Sequence, residues 1–278
     1  MNARAVAAWS AACLFVVLST TNPAYRAVVL AATLLVVLVS PGSARLRPLL
    51  TFVLVTATIG TLLNVVVSHV GTTVMFELPE GIPAVGGPYT AEALAFGVST
   101  GVTLAAAILA VAPFSLRLGP EDILDALPAA LSRTGSALAA SLNLVPAVGA
   151  SFAAVTEAQR LRGWRPRGPR SWAEVVVPVV LTAIEGSIQL AESMEARGYG
   201  SGPRTHVRPP HLRFPDWLLV ATSGLAALLF AVSRATGWAA DWYPFPTLAP
   251  PAIAAAPMVA CLLLFTPVLT WRSQTSQS

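Results

Sequence analysis

The residues best suited to specific chemistry in this chain are two arginines, each followed by glycine. Arg162-Gly163 closes the stretch AQRLRG at 158–163, and Arg197-Gly198 closes ARG within MEARGYG at 194–200. A guanidinium is planar, permanently charged and carries its N–H donors in a fork that matches a carboxylate, so it can bind acidic groups bidentately. Each arginine falls in the last turn of an apolar, helix-like run, where a cation meets the partial negative charge of free carbonyls, and each glycine suits the left-handed residue past a helix end. The result is an arginine at a rigid tip, made to enter an acidic cleft. Arg-Gly stops are also ordinary capping, and on the residues alone both readings stand.

The elements that carry these tips belong to a membrane protein. Of 278 residues, 55% are hydrophobic and only 11% charged, far below the roughly 25% charge of soluble domains. Six stretches approach the ~20 apolar residues that a spanning helix needs: 5–20, 24–40, 49–69, 93–113, 217–234 and 251–271. Asn22-Pro23 reads as a turn joining the first two into a tight hairpin. A signal peptide is the rival reading of 5–20, but the next apolar run follows within a few residues and no clear cleavage site intervenes.

All 17 basic residues are arginine, and their placement orients the spans. Arg45 and Arg47 follow the second span, eleven arginines fall between 114 and 216, and Arg272 follows the last, whereas 70–92 carries Glu77, Glu80 and Glu92 with no arginine. The positive-inside rule therefore predicts that 41–48, 114–216 and both termini are cytoplasmic. This placement accounts for the net charge of +4 without nucleic acid. Arg26 and Arg234 run against the trend and are expected to snorkel toward an interface. The outer segment 71–90, rich in Gly and Pro, reads as a structured loop or short re-entrant piece, serving either as a lid or partner contact or as a plain connection.

The span centres hold almost no ionisable residues, which disfavours a self-sufficient ion-coupled transporter. Asn64, Ser68 and His69 gather toward the outer end of the third span, where His69 reads as an interfacial histidine rather than a ligand. The histidines at 69, 206 and 211 share no ligand spacing, Cys13 and Cys261 lie singly in apolar runs, and H-E-x-x-H does not occur. We therefore expect no catalytic residues, no metal site and no cofactor in this chain. A Walker A loop needs a lysine to reach the terminal phosphates, and the chain contains none. Gly97 and Gly101 lie one helical turn apart and let another helix approach closely, either from this chain or from another protein.

About one hundred residues separate the fourth and fifth spans, giving three expected regions: membrane helices in 1–113, a cytoplasmic helical domain in 114–215, and C-terminal membrane helices in 216–278. Within the middle region, 120–131 reads as a short amphipathic helix with Pro120, Glu121 and Asp122 in its first turn. The run 135–162 is apolar for about twenty residues, is expected to kink at Pro146, and turns polar from Glu157. Taken as a seventh span, it would place Arg160, Arg162, Arg165, Arg167 and Arg170 outside, so we favour a long helix packed on other helices. Gly163, Pro166, Gly168 and Pro169 break it, and Ser171-Trp172-Ala173-Glu174 reads as a capping box opening the next helix. That helix carries an apolar stripe of Ile184, Ile188, Ala191 and Met194, with Glu185, Gln189, Glu192 and Glu195 opposite.

At these residues the chain resembles the transmembrane T component of energy-coupling factor transporters, the family that includes the membrane subunit of cobalt and nickel uptake systems. Ala196-Arg197-Gly198 matches the family's Ala-Arg-Gly motif in full. Leu161-Arg162-Gly163 departs at its first position, while Ala158-Gln159-Arg160 resembles the usual lead-in. The likeness runs from about the second span to the fifth, and the sixth span is an addition to the five commonly drawn. The resemblance implies an all-α membrane protein of about six spans with a cytoplasmic coupling insert in the cell membrane. It also implies a non-catalytic role. Two partner ATPase subunits, which bind the ATP and Mg, would receive Arg162, Gly163, Ala196, Arg197 and Gly198, with Ala158, Gln159, Arg160 and Glu195 supporting. A separate membrane S component would capture a vitamin or metal ion. The alternatives are a permease subunit of another ATP-driven transporter, or a scaffold whose basic insert binds anionic lipid.

Overall fold

The computed structural model describes residues 2–40, 43–79, 86–117, 132–199 and 213–268. The expected amphipathic helix at 120–131, together with His206, His211 and Arg272, lies outside them. The chain divides into two compact units, one formed by Met1–Gly119 with Leu212–Ser278 and the other by Pro120–His211.

The first unit is a helical bundle with one small hairpin. Its elements are α1 (Ala3–Ser19), α2 (Pro23–Val39), α3 (Ser43–Val67), β1 (Val74–Leu78), β2 (Gly87–Thr90) and α4 (Ala91–Arg117). The two C-terminal helices of this unit take the labels α7 (Phe214–Ala235) and α8 (Ala255–Leu263). The α1–α2 turn forms where the Asn-Pro pair predicts it. Asn22 caps α2 by accepting the Ala24 N–H at 3.0 Å, and Pro23 opens the helix, where its missing N–H has no cost.

The bundle core holds Trp9, Cys13, Val16, Tyr25, Val29, Ala226, Phe230, Cys261 and Leu264, all fully buried. The Trp9 indole N–H donates to the Leu264 carbonyl at 2.9 Å, which satisfies its one polar atom. Four helices are long and apolar enough to cross a membrane among the described residues: Leu46–Val67, Ala91–Pro113, Arg170–Ala196 and Phe214–Ala235. Three coincide with expected spans, and the fourth belongs to the second unit. The stretches at 5–20, 24–40 and 251–271 form shorter apolar helices. The last runs as Ala255–Leu263, resumes after a turn as far as Val268, and packs in the core through Ala260 and Cys261.

The loops sort to two ends of the bundle. At one end Asp216 accepts the backbone N–H of Asn2 at 3.3 Å and of Arg213 at 3.1 Å, joining the starts of α1 and α7. At the other, the chain from 236 to 254 covers the α1–α2 turn. The Asn22 amide donates to Ala252 O at 2.7 Å, Thr21 donates to Asp241 at 3.1 Å, and Thr72 donates to Pro246 O at 3.1 Å. Arg234 and Arg26 both have partners within this unit. Arg234 forms a two-point ion pair with Asp241 at 2.9 and 3.1 Å, and Arg26 bonds Thr20 O and Ser99.

The segment 71–90 contains an antiparallel hairpin, β1 against β2, with Phe76 stacked on Tyr89 at 4.6 Å. His69 sits beside it, with Nδ1 3.2 Å from Pro88 O and its ring edge-on to Tyr89, a structural position. Buried Glu92 at the start of α4 receives the Thr73 N–H and both Thr72 and Thr73 hydroxyls. A Cβ on Gly71 (φ +145°) would lie 2.6 Å from the Glu92 carboxylate, so this closure requires glycine.

The second unit contains α5 (Ser132–Leu161), a short 3₁₀ turn (Pro169–Trp172) and α6 (Ala173–Ala196).

Candidate functional site

Helix α5 continues through Pro146 and ends as the glycine predicts. The Arg162 N–H bonds Ala158 O at 3.2 Å, the Gly163 N–H bonds Arg160 O at 2.9 Å, and the Trp164 N–H returns to Gln159 O at 2.9 Å, with Gly163 at φ +85°. Helix α6 ends in the same way. The Arg197 N–H bonds Ser193 O at 3.2 Å, the Gly198 N–H bonds Glu195 O at 2.9 Å, and the Tyr199 N–H returns to Met194 O at 2.9 Å, with Gly198 at φ +76°. Both are Schellman caps, in which the left-handed glycine turns the next N–H back onto the last orphan carbonyls. Ala158, Gln159, Arg160 and Glu195 thus contribute carbonyls that build the tips, and Ala196 is the last residue of α6. Arg162 and Arg197 are exposed, and among the described residues neither side chain is in an ion pair or hydrogen bond.

The expected capping box at Ser171 is not formed. The N-cap of α6 is Trp172, without a side-chain bond. The Ser171 hydroxyl instead donates to Gly168 O at 2.8 Å and accepts the Arg167 N–H at 2.9 Å. Gly168, at φ +94°, turns the chain back on itself, which places Ser171 inside the 167–172 turn rather than at a helix start.

Residues after the glycines also take part, which the sequence reading passed over. The Trp164 indole N–H donates to Ser171 O at 3.1 Å, its ring meets Trp172 edge-on at 5.3 Å, and Trp172 stacks on Phe152 at 6.0 Å. The Gln159 amide donates to Glu174 O at 3.3 Å. The first tip is therefore braced against the start of α6. The signal was present as an aromatic residue two positions after each arginine, in Arg162-Gly163-Trp164 and Arg197-Gly198-Tyr199.

Helices α5 and α6 run antiparallel. Phe152 faces Trp172, Leu144 and Val148 face Val179 to Ala191, and Ser141 faces Leu190 to Met194. Arg162 consequently sits beside the start of α6 and Arg197 at its far end. With 24 residues in α6, the two tips are about 36 Å apart along the helix axis.

In the bundle unit the close-approach glycines face inward on this chain. A Cβ on Gly97 would lie 2.9 Å from Thr61 O, and one on Gly101 would lie 2.9 Å from Ala57 O and collide with the Thr61 hydroxyl. The α3–α4 contact thus decides between the two packing readings. Among the described residues no group of histidine, cysteine and acidic side chains could hold a metal ion.

The family model described as cobalt transport protein (CbiQ) matches residues 1–207. The match takes in the chain from its first residue and both arginine tips, and it stops before α7, whereas the sequence reading ran the likeness from the second span to the fifth. No curated protein matches the chain. The chain belongs to the CbiQ family of cobalt transport proteins.

Proposed function

We propose that this protein is the transmembrane coupling subunit of an energy-coupling factor importer, passing the work of partner ATPases to a separate membrane subunit that captures a vitamin or transition-metal ion. The observation that carries this reading is the pair of identically built Arg-Gly tips at opposite ends of one antiparallel helix pair. Two motor subunits need two separate anchorage points tens of ångströms apart. A guanidinium on a rigid cap loses little conformational freedom when it enters an acidic groove, so more of the contact energy appears as affinity. The brace between the first tip and the start of α6 supports transmission, because a displacement at Arg162 is delivered to the second helix.

In this reading the bundle unit is embedded through six membrane segments, α1, α2, α3, α4, α7 and the region of α8, with both termini and the 114–215 domain on the cytoplasmic side. Helix α6 is apolar enough to span, but Glu185, Glu192 and Glu195 are exposed along it, and its partner α5 ends in an arginine-rich turn. Both features suit a helix lying on the cytoplasmic side. ATP and Mg belong to the partner subunits.

The test is an Arg162→Ala/Arg197→Ala double variant, assayed for ATPase co-purification and for uptake in cells that also express the partner subunits. Loss of both with normal membrane insertion is expected. Unchanged co-purification and uptake would refute the reading.

A further inference from the structure

Helices α2 and α3 both pack on α4 and leave an apolar groove of about 560 Å³ along its face. Leu30 and Leu34 form one wall, Leu54 and Leu62 the other, and Val98 and Val102 the floor. One end meets the cluster of Val37, Val53 and Leu109, and at the other lie Leu62 and Val98. Arg26 stands one helical turn from Leu30. Its Nε–H donates to Thr20 O at 2.9 Å and its Nη1 to the Ser99 hydroxyl at 2.8 Å, and Ser99 follows Val98 directly. A half-buried cation is thereby fixed at the Val98 end of the groove.

The partners that fix Arg26 are neutral. Asp241, whose charge reaches it, is already clamped by Arg234 and Thr21. Among the described residues the only salt bridge is Arg234–Asp241, and Arg26 Nη2 has no partner. Arg26 thus has no carboxylate of its own among the described residues, and a half-buried cation at a bilayer surface favours an anionic partner.

We propose that this is a binding site for one anionic glycerophospholipid, with its phosphate on Arg26 and one acyl chain along the groove. From Val98 to Leu109 the floor runs about 16 Å, a fit for an extended tail. A tail gains little apolar contact by leaving the surrounding bilayer, since lipid chains are as apolar as the groove. The groove therefore supplies shape, and Arg26 supplies the choice of headgroup. This requires only that the bundle unit is embedded in a bilayer, and it is independent of the coupling role.

The experiment is native mass spectrometry of the full chain, delipidated in detergent and offered equimolar palmitoyl-oleoyl phosphatidylglycerol and phosphatidylcholine. Wild type is expected to retain one phosphatidylglycerol at several-fold excess. Arg26→Gln should bring the two lipids to parity. That variant also removes the bonds to Thr20 and Ser99, so Val98→Phe, at a half-exposed position, carries the test if it fails to fold. Val98→Phe fills the groove and should abolish retention of both lipids. Equal retention by wild type, an unchanged preference in Arg26→Gln, or unchanged retention in Val98→Phe overturns the proposal. So does a photo-crosslinker at position 98 that labels a co-purifying polypeptide instead of lipid.

Discussion

The backbone N–H of Trp164 reaches the carbonyl of Gln159 at 2.9 Å, and this bond folds the chain back over the end of α5. The bond exists only because Gly163, between them, sits at φ +85°. Nothing lies within 4 Å of the place a Cβ would take there, so substitution costs backbone strain rather than collision.

Substitutions at Gly163 should accordingly rank by their tolerance of the left-handed conformation. Asn is expected to retain most ATPase binding, Ala to lose about 1 kcal/mol of cap stability, and Val to lose most binding while inserting normally. Pull-down affinity across wild type and the three variants measures this, and an equal response to Asn and Val would show that the cap geometry is irrelevant to the contact.

Trp164→Ala removes the indole contacts of the brace and leaves the Gln159–Glu174 bond and Arg162 in place. ATPase binding through the tip should persist, while uptake falls because the tip is coupled less firmly to the start of α6. Comparing the two readouts in one variant separates anchoring from transmission, and a parallel loss of both would argue for a contact role of the indole itself.

Gly101→Ala should destabilise the bundle by about 1–3 kcal/mol through overpacking, read as a shift in thermal or denaturant unfolding in detergent. Adding Thr61→Ala should restore only part, because the Ala57 carbonyl at 2.9 Å is backbone and cannot withdraw. Full recovery would mean that the helices slide apart readily.

Trp9→Phe deletes the buried bond to Leu264 O and leaves a small cavity where the indole's second ring stood. The orphaned carbonyl should cost about 1–3 kcal/mol and loosen α8 first, detectable as faster labelling of Cys261 by a membrane-permeant thiol reagent.

Asp241 is held below the usual carboxylate range chiefly by the hydrogen bond from Arg234, with Thr21 adding to it. A carboxyl depressed on folding contributes stability above its unfolded pKa of about 3.9, and that contribution is lost as pH falls through the lower folded value. The melting temperature should be flat above about pH 5 and decline below about pH 4, with the decline reduced in Asp241→Asn. The effect is small because the pair is partly exposed (32% and 40%).

Much of this protein is legible in its residues because the relevant physics is local. Hydropathy locates apolar helices over 49–69, 93–113 and 217–234, Asn22-Pro23 ends one helix and starts another, and Arg-Gly marks both caps, since capping depends on a few consecutive backbone groups. Other features depend on residues far apart in the chain. The hairpin over 74–90 needs Val74 to Leu78 to find Gly87 to Thr90, and Gly71 to meet Glu92. The capping box at Ser171 lost to a turn closed by Gly168 and braced by Trp164. Arg26 meets Ser99 and Arg234 meets Asp241, partners that local sequence does not name. Gly97 and Gly101 could not name their partner until α3 packed on α4. The sequence alone determines that two cationic tips exist, because a helix end is made by its own last turn. Only tertiary structure decides that they stand at opposite ends of one rod, because that follows from the antiparallel packing of Leu144 and Val148 against α6.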